Sequence, residues 1–332
     1  MNLNKFLRAA LSVIVCSAVG AVLMIIGGAV PALMLPSIFL CSVVYIYNVG
    51  KTDGNCGFFN MLITSLLLFG ASWLFEAQAE GFSLLAAVYV GAVLPAFVFG
   101  LMLKRNTDFE NKYFASLATM LISVLLALVF VKAEGFSVSD AITDAAQGYR
   151  ETLTAVLEQS GIGATQNIKS VVADITDQTV QALTTYLPAI IIIFSMIWTY
   201  LTVMAGVFVL RKLKLYNIGY AKFNMIHVPQ FVCLITSVLF IVIFMSESGG
   251  MFAAALGNIA AVSEFLIGIS GAATVDYFFA KKIASGYVRA LIYLCAFGAG
   301  FLFASLMWEV MIVIGFVDSL WNIRFRDGIR GE

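Results

Sequence analysis

Charge is scarce in this chain, and the gaps between charges define it. Only 11% of the residues are Asp, Glu, Lys or Arg, against about 25% in a soluble domain. Residues 9–50 carry none, and neither do 54–75, 81–103, 113–131, 178–210, 223–246 and 290–308. Histidine occurs once, as His227, and no Cys-x-x-Cys occurs, which argues against a Cys/His metal centre. Cys16, Cys41, Cys56, Cys233 and Cys295 lie far apart, mostly in apolar stretches, and read as small packing residues. HExxH, GxSxG and GxxxxGK(S/T) are all missing, so no catalytic set and no cofactor are expected and the chain reads as a non-enzyme. Nineteen basic residues balance nineteen acidic ones, which leaves no polybasic footprint for nucleic acid.

What fills the gaps is apolar: 61% of the chain is hydrophobic. A helix rises 1.5 Å per residue, so about 20 apolar residues cross a hydrocarbon core about 30 Å thick. The pattern predicts an all-α, polytopic transmembrane bundle of about eight to ten spans. Helices are placed at 9–29, 31–49, 57–75, 82–103, 113–131, 187–210, 228–246, 251–279 and 286–316. The last region is long for one helix, and Gly298 and Gly300 offer break points for a bent hairpin. Pro31 suits a first helical turn, and Pro36, Pro95 and Pro188 fall in or near spans, where neighbouring helices satisfy the groups that proline frees.

Lys and Arg fall on alternate connections: Lys5 and Arg8; Lys51; Lys104, Arg105 and Lys112; Arg211, Lys212, Lys214 and Lys222; Lys281, Lys282 and Arg289. Basic loops face the cytoplasm. The N-terminus is therefore expected inside, with a retained first helix, and segment 132–185 outside. Arg324, Arg326 and Arg330 draw the tail to the cytoplasmic side as well.

Segment 132–185 predicts an extramembrane amphipathic helical hairpin. Val138, Ala141, Ile142, Ala145, Tyr149, Leu153, Val156 and Leu157 form one apolar stripe at three- and four-residue steps. Ser137 or Ser139 caps its start. Ile168, Val171, Val172, Ile175, Ala182, Leu183 and Tyr186 form a second stripe leading into the next span, across a Gly161–Gly163 link. The hairpin reads either as a lid or as a packed extramembrane element.

An ionisable group at membrane depth costs a few kcal/mol at least. Glu264 has sixteen uncharged residues before it and eleven after. It is the candidate intramembrane polar site, either for a proton, cation or polar solute or for a bond to a neighbouring helix. Asp276, near Lys281, reads as an interfacial charge, and His227 as an interfacial histidine. Gly315-x-x-Asp318…Arg324 predicts a structural Asp–Arg clasp that fixes the tail.

The runs FLIGISGAATVDYFFAKK (265–282) and VIGFVDSLWNIRFR (313–326) resemble the bacterial membrane-protein family DUF2232, also called YybS-like. Gly271, Tyr277, Phe278, Lys282, Gly315, Asp318 and Arg324 occupy the family's motif positions; Ser270 stands where the family often has Gln. The order of spans is similar over nearly the whole length. The resemblance implies residence in the bacterial cytoplasmic (inner) membrane. It also implies a first module, 1–211, similar to the substrate-binding S-components of energy-coupling-factor transporters. Residues 212–332 then form a C-terminal module with a basic tail. S-components dock through an Ala-x-x-x-Ala face on the first helix; here Ser17 with Ala21 is the nearest substitute.

Two functions follow as expectations. One is a small-solute-binding or transport component, with a small-molecule ligand held by convergent polar groups. The other is a non-transporting scaffold or envelope-biogenesis partner, using a membrane protein partner or a homo-oligomer. In both, the lipid bilayer is the constant partner.

Overall fold

The computed structural model describes residues 3–51, 59, 62–63, 66, 94–103, 105, 108–133, 135, 137–159, 166–216, 222–245, 250–299 and 304–324. Every regular element among them is helical: α1 (Leu3–Ala29), α2 (Met34–Lys51), α3 (Leu94–Leu103), α4 (Phe109–Ala133), α5 (Val138–Gln159), α6 (Gln166–Lys212), α7 (Gln230–Met245), α8 (Met251–Lys282), α9 (Gly286–Ala299) and α10 (Ala304–Trp321). Short 3-10 turns at Pro31–Leu33 and Phe223–Met225 complete the set. Five described stretches are long and apolar enough to cross a membrane: Leu7–Gly27, Met34–Lys51, Phe109–Val129, Ser170–Lys212 and Met251–Lys282. The expected span at 57–75 lies largely outside the described residues, as do the first part of the 82–103 span, whose remainder is α3, the Gly161–Gly163 link and Gly300. Gly298 is the second-last residue of α9, and residues 300–303, before α10 begins, lie outside the described ones.

Many large apolar side chains face outward, as a lipid solvent allows. Phe244 is 92% exposed, and Leu125, Leu126 and Val129 form an exposed patch on α4. Two compact units are present: Met1–Val180 with Phe194–Tyr220, and Gln181–Ile193 with Ala221–Glu332. Helix α6 contributes to both.

In unit 1, α1 and α2 form an antiparallel hairpin. Ser12 Oγ donates to Asn48 Oδ1 at 3.1 Å near its open end, and Gly27 lies against Ser37 at the turn. Glycines let other helices approach α2 closely. A Cβ on Gly100 would come within 2.6 Å of Val49, and one on Gly206 within 2.7 Å of Ile46. Because Ile46 meets Gly206 and Gly50 meets Leu210, α2 and α6 run parallel. Tyr45, Ile46, Phe99, Val207 and Leu210 form the sealed core.

Segment 132–185 divides between α5 and α6. Ser137 Oγ accepts the Asp140 N–H at 3.3 Å and caps α5. The apolar stripe of α5 stays largely uncovered, with Tyr149 and Val156 exposed. The second stripe has no terminus before the next span, and both form the single 47-residue helix α6.

In unit 2, α8 and α10 cross with their backbones in contact. Phe265 stacks on Trp308, Gly268 meets Trp308, and Gly271 meets Met311 and Gly315. Residue numbers rise together along this contact, so α8 and α10 are parallel, with α9 joining them in sequence. Val228, Cys233 and Ile267 seal the core beneath α7, with Ile312 and Phe316 packed on it.

Candidate functional site

The end of α10 builds a buried charge knot. Asn322 has φ +51° and its N–H donates to Asp318 O at 2.7 Å. Asparagine tolerates this left-handed conformation, which ends a helix and turns the chain back. The reversal carries Arg324 onto Asp318: Nε donates to Oδ2 at 2.9 Å, Nη2 reaches the same oxygen at 2.8 Å, and the Arg324 N–H donates to Oδ1 at 3.3 Å. Asp318 is fully buried and Arg324 is 4% exposed. Two further guanidinium donors are used. Nη1 donates to Asn224 O at 2.9 Å and Nη2 to Ser270 Oγ at 3.3 Å. His227 Nδ1 lies 3.5 Å from Asp318 Oδ2. One arginine thus ties together α10, the loop before α7 and the middle of α8. Ser270 supplies one of its contacts.

The other singled-out residues spread along α8 and α10. Gly271 and Gly315 form the backbone crossing itself. Tyr277 lies beyond it, with Lys281 Nζ 4.8 Å above its ring. Glu264 is half-buried on α8, seven residues before Gly271, and no hydrogen bond or ion pair ties it to another described residue. Asp276 is buried, and its ion-pair partner is Arg289 at 3.4 Å, on α9; Tyr293 donates to it at 3.5 Å.

A second polar device lies where α6 passes Pro188. In an unbroken helix the Ala189 N–H would donate to Thr185 O. The proline ring spreads that turn, and the Asn258 amide enters it. Ala189 N–H donates to Asn258 Oδ1 at 2.9 Å, and Asn258 Nδ2 donates to Thr185 O at 2.9 Å. An orphaned backbone group costs about 1–3 kcal/mol, so Asn258→Leu should destabilise the protein by about 2–4 kcal/mol. Adding Pro188→Ala should recover much of the loss, because the turn then closes on itself. Equal thermal stability of Asn258→Leu and wild type in detergent would refute this role.

Unit 1 holds a third feature. Ser195, Thr199 and Thr202 sit at i, i+4 and i+7 on α6, all under 5% exposed. Their hydroxyls have no hydrogen-bond partner among the described residues, and neither does the nearby Trp198 Nε1. Serine and threonine in helices usually donate to the carbonyl four residues back. Ser116, Thr119 and Ser123 on α4 do so, at 2.8–2.9 Å. The three on α6 do not, which leaves a seam of unspent donors and acceptors along one helix face. The substitute docking pair, Ser17 and Ala21, is buried in the unit 1 core rather than open to a partner.

A family model described as "Predicted membrane protein (DUF2232)" matches residues 18–319. No curated protein and no solved structure matches the chain.

Proposed function

We propose that this chain, which belongs to the DUF2232 family of predicted membrane proteins, is a small-solute-binding or transport component. It resides in a bacterial cytoplasmic membrane, with the N-terminus and the tail on the cytoplasmic side. The observation that carries this reading is the buried seam of Ser195, Thr199 and Thr202 with Trp198 Nε1. A buried hydroxyl without a partner costs free energy, and three along one helix face supply polar groups of the kind a solute site uses. Unit 1 corresponds to the S-component-like module in this reading. Glu264, at depth in unit 2, serves as the proton- or cation-binding carboxyl. The scaffold reading draws on one different observation, the exposed apolar stripe of α5 at Tyr149 and Val156.

Native mass spectrometry of the purified protein, beside the variant Ser195→Ala/Thr199→Val/Thr202→Val, separates the two readings. Wild type should retain a small molecule that the variant loses. The ligand-free variant should be as stable as wild type or more so, because near-isosteric apolar side chains remove unpaired groups. Glu264→Gln should fold and lose any proton-coupled effect. A wild type that carries no small molecule but a bound membrane protein supports the scaffold.

A further inference from the structure

We propose that the adjoining ends of α2 and α6 form a binding site for an anionic phospholipid headgroup. Gly50 sits against Leu210, with its ideal Cβ position 3.1 Å from a Leu210 methyl. The absent side chain lets the two parallel helices finish side by side. Four basic residues gather there, Lys51, Arg211, Lys212 and Lys214, all exposed. Neither α2 nor the last turns of α6 carries an acid. Phe109 packs on the core cluster that holds Leu210, and the acids beside it, Asp108 before α4 and Glu110 in its first turn, are exposed.

Two of the lysines are posed rather than loose. Lys51 Nζ lies 5.4 Å from the Tyr47 ring centroid and donates to the Tyr47 hydroxyl at 3.1 Å. Lys212 Nζ lies 6.0 Å from the Phe208 ring. Both are aromatic-x-x-x-Lys pairs on the last turn of a helix, and Tyr277 with Lys281 repeats the arrangement at the end of α8. An aromatic ring with an ammonium above it suits the boundary between acyl chains and headgroups.

Lys214 adds an independent sign. The end of α6 closes in a Schellman motif: Leu215 N–H donates to Leu210 O at 3.0 Å and Lys214 N–H to Arg211 O at 2.9 Å. Its central residue takes a left-handed conformation, where glycine is the usual choice. Here it is Lys214, at φ +57°. A side chain in that position costs stability, and the charge it projects is the return. Exposed Phe208, Leu213 and Leu215 surround these cations, which places the cluster against lipid rather than in bulk water. Charge complementarity at a lipid-facing surface selects an anionic headgroup as the occupant.

The test uses the full chain, purified in detergent and titrated separately with phosphatidylglycerol and phosphatidylcholine, with bound lipid counted by native mass spectrometry. Wild type should retain phosphatidylglycerol in preference. Lys51→Gln/Lys212→Gln/Lys214→Gln should bind it roughly a hundredfold more weakly, at the contribution usual for each basic residue near an anionic surface. Lys214→Gly alone should weaken binding about fivefold while its melting temperature holds or rises, because glycine relieves the left-handed strain. That opposite movement separates lipid binding from a structural role. Equal retention of the two lipids by wild type, or undiminished phosphatidylglycerol binding by the triple variant, overturns the proposal. So does displacement of the lipid by inorganic phosphate, which would mark a site for the free anion.

Discussion

Asp318→Asn and Arg324→Gln should each destabilise the protein by about 3–5 kcal/mol, the usual cost of leaving one partner of a buried ion pair uncompensated. Arg324→Gln removes the guanidinium donors to Asp318, Asn224 and Ser270 at once, and leaves a fully buried carboxylate beside His227 with only the backbone N–H of residue 324. Asp318→Asn leaves a guanidinium, 4% exposed, with only neutral partners. The double variant should cost less than the two singles summed, because no net charge remains buried. Thermal unfolding in detergent across the four proteins gives the coupling directly. Additive losses would mean that the two side chains act independently, and unchanged melting of either single variant would mean that the pair does not hold the tail.

The charge pattern made this pair legible. Two formal charges near an apolar helix end call for each other, and Asp318 and Arg324 lie close in sequence. Asn224 escaped notice because it contributes a backbone carbonyl, and Ser270, noted only through the family resemblance, offers a hydroxyl that interrupts no apolar run. Asn258 is the clearest case. Pro188 signals broken hydrogen bonds, and a polar partner on a neighbouring helix is the physical requirement. A scan for charges passes over an uncharged amide seventy residues away. The same amide explains why the second amphipathic stripe and the following span form one helix: the turn that proline opens is bridged rather than ended. Conversely, the α6 hydroxyl seam is invisible in sequence, since Ser195 and Thr199 look like Ser116 and Thr119 until their partners are known. The apolar runs located the helices well, because length and hydropathy alone decide whether a segment can satisfy its backbone in lipid.

Gly271→Ala should be the most damaging single-methyl change among the described glycines. A Cβ at Gly271 falls on the carbonyl oxygen of Met311, and one at Gly315 falls on that of Ile267. A methyl carbon has no torsion with which to turn away, and its neighbour is backbone, not the flexible tip of a side chain. The helices must therefore separate, at a cost expected to be about 3 kcal/mol, the upper end for overpacking. Gly148→Ala on α5 is the matched control. Nothing lies within 4 Å of its Cβ position, so it should gain about 0.5–1 kcal/mol from helix propensity. The two substitutions thus move the melting temperature in opposite directions, and a similar response from both would mean that α8 and α10 do not touch at Gly271. Separation also has a reach beyond packing. Ser270 is the neighbour of Gly271, so displacing α8 withdraws the hydroxyl that accepts from Arg324. Gly271→Ala and Arg324→Gln should then be less than additive, because the crossing and the knot are two parts of one joint.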